Sequence, residues 1–181
     1  MSEPVVTIGG PPGSGKSTAG RQVAGLRGLE FVSAGELFRE EARRRGLTLS
    51  GLSELAEREE AIDRTLDDEM VRRAHPGRLL DGRLTGPLLR RRGVPNRYIV
   101  VTAEERVRWV RLAGRDGGSV DDVGRDTRAR EASERSRYLR YYGIDLDAET
   151  PDLTVDSTHA TPAEVTGQIL GFLASPTRSA V

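Results

Sequence analysis

The sequence predicts an α/β fold, a parallel sheet with helices on both faces. Short apolar runs alternate with helical patterns along the chain, the order that βαβ units require. The first run, "PVVTIG", leads into the glycine-rich stretch "GGPPGSGKST" (9–18), so a strand, a phosphate-type loop and a helix follow one another. At 181 residues the chain reads as one domain, 1–181. That length is enough to bury a sizeable core.

The elements follow in order. Residues 4–9 form a buried strand ending in glycine. A helix is predicted over 16–27, and "LEFVS" (29–33) is a second strand. "GELFREEARRRG" (35–46) is a helix closed by Gly46. Leu52, Leu55, Ile62, Leu66 and Met70 keep helical spacing, so 50–74 is predicted as one long amphipathic helix ended by "HPG". Residues 78–83 contain a short strand running to Asp81, and "RYIVVTA" (97–103) is the clearest strand. Three pairs have the capping-box spacing of hydroxyl and carboxylate: Thr102 with Glu105, Ser119 with Asp122, and Thr161 with Glu164. The third also has Pro162 at the favoured first helical position. "GRDGGS" (114–119) is a flexible break, and the helix after it runs from Ser119 to Tyr142. "DLTVDS" (152–157) is the last strand and 162–174 the last helix, while the tail "SPTRSAV" (175–181) is expected to be disordered. The stretches 36–75 and 103–142 are longer than crossovers need, which predicts mobile parts projecting over one edge of the sheet.

Composition narrows the function classes. Formal net charge is zero, so no global field points to nucleic acid or to a membrane surface. The chain has no cysteine, which removes disulfide frameworks and zinc ribbons. "MSEPVVTIGG" has no basic leader and no long apolar run, so a cytoplasmic location is expected, without membrane or nucleic-acid partners. His75 and His159 flank turns and are read as structural or exposed, and Trp109 as a buried anchor.

Gly10, Gly15, Lys16 and Ser17 match the P-loop pattern in its required context. The loop comprises Gly10, Pro11, Pro12, Gly13, Ser14, Gly15, Lys16, Ser17 and Thr18. Its glycines let successive N–H groups converge on phosphate oxygens, and the following helix adds its positive end. Lys16 is read as the contact to the β- and γ-phosphates of ATP and Ser17 as a ligand of Mg²⁺. Lys16 is the only lysine in the chain, and an arginine fork is not equivalent to it in a tight loop. With that one lysine used, a guanine-reading N-K-x-D motif cannot exist, which excludes the usual GTPases. The chain is also short for a helicase or motor, leaving a small kinase.

Five blocks sharpen this reading: "GPPGSGKST", "VSAGELFR", "AEREEAIDRTLD", "DGRLTG" and "REASERSRYLRYYGID" occur in that order. Together they resemble the archaeal-type cytidylate kinases, a branch of the nucleoside monophosphate kinases. The resemblance runs to about Val155. It implies transfer from MgATP to CMP or dCMP, a five-stranded parallel core (4–33, 77–103, 151–174), NMP-binding helices (34–76) and a lid with its following helix (114–142). It places Gly35 and Arg39 in the NMP-binding turn and helix, Asp81 and Arg83 in the "DGR" segment, and Arg115, Arg130 and Arg135 in the lid region. Leu84 and Ala34 depart from the bacterial branch, which has a carboxylate and a serine there.

The chemistry suits these residue types. A monophosphate acceptor brings its own anionic nucleophile, so positioning and charge neutralisation suffice. Arg39 and Arg83 are expected to clamp the acceptor phosphate, and lid arginines to cover the transferring group. Asp81, ending a strand, is read as holding a Mg²⁺-bound water, and Asp63 as accepting from the cytosine amino group. A monomer is expected. Two alternatives stay open: a kinase of the same fold with another small acceptor, and an RNA-associated nucleotide-binding protein using the arginine-rich helix. "LLDG" also resembles adenylate kinases, but glutamine occurs only at 22 and 168, so the adenine-reading Gln is missing. Zero net charge and dense Glu pairing argue against RNA.

Overall fold

The computed structural model describes residues 4–175. All but the first residue of the tail expected to be disordered lies outside the described residues. Five strands, β1 (Val5–Gly9), β2 (Glu30–Ser33), β3 (Arg78–Asp81), β4 (Asn96–Thr102) and β5 (Leu153–Asp156), form one parallel sheet in the order β2-β3-β1-β4-β5. Eight helices connect and cover them: α1 (Lys16–Arg27), α2 (Ala34–Arg44), α3 (Leu49–Arg58), α4 (Glu60–Arg72), α5 (Thr85–Arg91), α6 (Glu105–Asp116), α7 (Val120–Tyr142) and α8 (Pro162–Ala174).

Strand periodicity divides the core. Val6, Ile8, Leu79, Ile99, Val101 and Val155 point to one face, where they bury Ala19 and Val23 of α1 and Val165 and Ile169 of α8. Val5, Val32 and Leu80 point to the other, against Met70 of α4 and Leu89 of α5. A third cluster lies away from the sheet. Ala42 of α2, Leu52 and Ala56 of α3, and Ile62 of α4 bury one another.

That third cluster explains a difference from the sequence reading. The predicted helix over 50–74 is two helices, interrupted at Glu59 with φ −117° and ψ 87°. The break turns the chain so that α3 and α4 can share one core with α2. The helical spacing of apolar residues continues across it, and no proline or glycine marks it. Helix α5 is the other element the pattern hid. It has seven residues and carries Pro87 in its first turn, where the missing N–H costs nothing.

Two of the three expected caps form. Ser119 accepts from the Asp122 N–H at 3.1 Å, and Thr161 with Glu164 makes a complete capping box. Thr102 does not cap. It stays in β4, and its hydroxyl donates to the Val155 carbonyl across the sheet at 3.5 Å. The N-cap of α6 is Glu104, whose own N–H donates to Thr158 Oγ1. The sheet-edge pairing of β4 with β5 competes for Thr102 and wins.

Leu52→Ala tests the separate cluster. It should cost about 2–5 kcal/mol locally, as for other buried leucines. Hydrogen exchange should rise across α2, α3 and α4 while amides of β1 and β4 keep the parent's protection.

Candidate active site

The carboxyl ends of β1 and β3, the start of α1 and the inner sides of α2, α4, α6 and α7 enclose a cavity of about 580 Å³. Such a crevice is where parallel α/β sheets bind ligands. Its floor is the loop after β1. Four loop carbonyls are already occupied by donors of the protein. The Pro11 carbonyl accepts from the Ser14 N–H, the Pro12 carbonyl from Arg108, the Gly13 carbonyl from Arg111 and the Ser14 carbonyl from the Ser157 hydroxyl. Residues Gly15 to Thr18 line the cavity, and the first N–H groups of α1 have no intrahelical acceptor. This is an anion-binding end.

The loop glycines serve two purposes. Gly15, at φ 86°, has open space where a Cβ would stand. Gly10 (φ 135°) and Gly13 (φ 78°) are tightly packed: an added Cβ would lie 2.1 Å from the Val101 carbonyl oxygen and 2.6 Å from that of Arg108. Those two glycines let β4 and α6 approach the loop. Gly10 and Pro11 stand outside the cavity lining, whereas Pro12 to Thr18 belong to it.

Lys16 lines the cavity and makes no hydrogen bond or ion pair with another described residue. Burial pushes its ammonium below the ordinary lysine value, Asp81 partly counters that, and Arg83 reinforces it. Asp81, 3% exposed, ends β3 beside Ser33 of β2. Its Oδ2 accepts from Ser17 (2.6 Å) and Ser33 (3.3 Å), while its buried Oδ1 has no partner among the described residues. A buried carboxylate oxygen without a donor favours a cation, so Ser17 and Asp81 fit a divalent metal with oxygen ligands.

Across the cavity, Glu134 of α7 receives two arginines. Arg83 Nη1 donates to its Oε2 at 2.6 Å and Arg130 Nε to its Oε1 at 2.8 Å. Burial favours the neutral acid at Glu134, but Arg130 and Arg83 overcome this and hold it below the usual carboxylate range. Burial would weaken the Arg83 cation, and Glu134 more than offsets it. One turn on, Arg137 donates to Asp63 of α4 at 2.7 Å. Burial raises the Asp63 carboxyl above its ordinary value despite Arg137.

Most residues selected from sequence therefore meet in one place. Lys16, Ser17, Gly35, Arg39, Asp63, Asp81, Arg83, Arg115 and Arg130 all line the cavity. Arg39 is exposed and makes no ion pair with a described residue, and Arg115 is exposed and paired with Asp116. Arg135 is not brought there: it is exposed on the far side of α7 and paired with Asp147. Arg137 takes the inward position instead, because Arg130, Glu134 and Arg137 share one helical face and Arg135 is turned about 100° from Glu134. Trp109 is buried against Gly124 and under Arg128, outside the cavity, and both histidines are exposed.

Sequence reading missed Arg108, Arg111, Glu134, Arg137, Asp67 and Tyr138. Arg108, 4% exposed, ties the loop to α7 through the Pro12 carbonyl and Glu131 (2.6 Å). Arg111 donates to Ser157 and lines the cavity beside Arg115. Their i, i+3, i+7 spacing (108, 111, 115) was the available signal. Asp67 lines the cavity and is pushed up to about 7 by burial, with Asp63 and Asp68 adding and the Tyr142 hydrogen bond opposing.

A family model described as an AAA domain matches residues 9–128. Among curated proteins, the cytidylate kinase of Archaeoglobus fulgidus is 36% identical over 155 residues, 84% of each chain. That of Pyrobaculum aerophilum is 40% identical over 157 residues, 86% of this chain and 84% of its own. Solved structures share the fold at low identity. The shikimate kinase of Acinetobacter baumannii has a TM-score of 0.62 at 19% identity, covering 97% of this chain and 96% of its own. That of Bacteroides thetaiotaomicron has 0.60 at 14%, covering 94% and 98%. The sheet and its P-loop are thus those of the P-loop kinases. No helix among the described residues is long and apolar enough to cross a membrane.

Asp67 offers a stability test. Its folded value of about 7 exceeds the ordinary 3.8, so its contribution to stability is present below about 4 and is lost as pH rises through about 7. Asp67→Asn should therefore gain stability relative to the parent across that window in urea titrations. A difference independent of pH would contradict the buried carboxyl.

Proposed function

The chain belongs to the cytidylate kinase family, and on that premise we propose that it transfers the γ-phosphoryl group of ATP to CMP or dCMP. The observation that carries this reading is the shared cavity: a P-loop with its single lysine on one side, and two arginines held by a buried glutamate on the other.

The donor's phosphates lie over the amides of Gly15 to Thr18, with Lys16 beside the transferring group. The open space at Gly15, and a Lys16 ammonium without a hydrogen bond or ion pair to another described residue, support this placement. Mg²⁺, held by Ser17 and Asp81, would neutralise charge on the donor's phosphate oxygens. The orphaned Asp81 Oδ1 supports that site.

Arg83 and Arg39 receive the acceptor phosphate, with Gly35 leaving room at the start of α2. Arg83 is pre-aimed by Glu134 and half-buried, so little ordering remains when the acceptor arrives. Arg130 and Arg115 supply positive charge near the transferring group. Glu134 is a poor general base, because Arg130 and Arg83 hold its proton affinity below that of an ordinary carboxylate, and an acceptor phosphate needs none. Asp63 and Arg137 meet the base at the α4 side. Arg137, held by Asp63, offers a donor to the acceptor edge of a cytosine.

A coupled assay with ATP and CMP, dCMP, UMP, AMP, GMP or shikimate decides the acceptor. CMP or dCMP should give the highest kcat/KM, and no turnover of either overturns the reading. Lys16→Ala should lower kcat by about 10²-fold or more, the scale of removing one charge-stabilising donor. Arg83→Ala should lower kcat/KM for CMP by about 10²-fold with the KM for ATP near the parent's. An unchanged acceptor dependence would refute the role of Arg83.

A further inference from the structure

Beyond Asp63 the cavity extends to Asp67, one turn along the same face of α4. We propose that Asp67 reads the group at C4 of the acceptor's pyrimidine and so decides between cytosine and uracil. This rests on the CMP reading above. It concerns which residue selects the base.

The geometry gives Asp67 one anchored and one available oxygen. Oδ2 accepts from the Tyr142 hydroxyl at 2.7 Å, while no described residue donates to Oδ1. The neighbouring cavity lining is Phe38, Leu66 and Tyr138, flat and apolar surfaces suited to a ring. Asp63 is already committed to Arg137, which is fixed again by its bond to Ser133 (2.7 Å). Arg137 therefore faces the acceptor edge of the base as a donor, and Asp67 is the uncommitted carboxylate. Cytosine presents an amino donor at C4, which an ionised carboxylate accepts. Uracil presents a carbonyl there, which an ionised carboxylate repels and a neutral carboxyl can hydrogen-bond.

The surroundings allow both forms. Asp63 and Asp68 on α4 oppose ionisation. Arg137 and Tyr142 on α7 favour it, and Arg64 sits over the Tyr142 ring at 5.2 Å. Tyr138 on α7 is itself pushed well above the usual phenol value, by burial first and then by Glu134 and Asp67. Around Tyr138 and Tyr142, α5 and its N-cap contribute the apolar Leu88 and Leu84, and the cations Arg90 and Arg91 of α5 and Arg92 at its C-cap are paired with Asp152, Glu149 and Asp68. Burial leaves Asp67 titrating at about 7. Above that value the site favours CMP, and below it uracil is tolerated.

The test is the ratio of kcat/KM for CMP to that for UMP, measured between about pH 6 and pH 8. The acceptor phosphate also titrates near pH 6, but equally in both substrates, so it cancels in the ratio. In the parent the ratio should rise about 10-fold across this range, because the neutral form that uracil needs falls about 10-fold while the amino group of CMP is accepted by either form. In Asp67→Asn it should be lower by about 10-fold at the high end and flat with pH, since an amide both donates and accepts. Tyr142→Phe keeps the carboxyl but removes its donor, so the rise should move to higher pH. That variant keeps the inference testable if Asp67→Asn folds poorly. CMP turnover with a ratio that neither variant moves overturns this inference alone. No CMP turnover by the parent overturns the acceptor assignment and this inference with it.

Discussion

A carboxylate removed from water must be paired, and Glu134 is where that constraint shapes this protein. It is 7% exposed and lies between Arg83 and Arg130. A buried charge stripped of its partners costs about 3–5 kcal/mol, so Glu134 needs at least one of these arginines in place. The pairing therefore fixes α7 against the turn after β3. Two more buried pairs extend the seam. Glu131 meets Arg108 nearer the loop, and Arg137 meets Asp63 farther from it. Helix α7 thus closes the cavity with a charged inner face, where an ordinary amphipathic helix would use an apolar one. Its apolar contacts include Gly124 under Trp109, and Tyr138 and Tyr142 packed with Leu84 and Leu88.

A charged inner face suits the task assigned to it. A site for two phosphorylated substrates needs cations that are present before the substrates arrive but do not repel one another out of place. Glu134 neutralises part of the Arg83 and Arg130 charge and fixes their direction. On the opposite side the P-loop solves the same problem with backbone. Its carbonyls are tied to Arg108, Arg111 and Ser157, which leaves its amides for the ligand. Arg108 belongs to both devices, since one guanidinium nitrogen reaches the Pro12 carbonyl and Glu131. The P-loop and α7 are thereby mechanically joined.

Much of this was legible in the sequence because it is local. The strands and the P-loop are written in consecutive residues, and the five strands appear where the apolar runs placed them. The "DGR" segment was found through its resemblance and its place at a strand end. What was hidden depends on phase or on distant partners. Helix α7 is polar all round, so nothing in its pattern said that Arg137 and not Arg135 points inward. Thr102 had the spacing of a cap, but a partner in β5 held it in the sheet. The break at Glu59 follows from the core shared by α2, α3 and α4, which exists only after they pack. Asp67 stands out only once Tyr142, 75 positions away, is seen against it.

The claim on which the rest depends is that Glu134 aims Arg83 at the acceptor and Arg130 at the transferring group. Steady-state kinetics of Glu134→Gln, with CMP and ATP varied separately, tests it most directly. Glutamine keeps the shape and removes the charge. A kcat/KM for CMP about 10²-fold below the parent's is expected, the cost of misplacing a positioning group. The KM for ATP should stay near the parent's, which also certifies that the P-loop is folded. Parent-level use of CMP by the variant would contradict the claim.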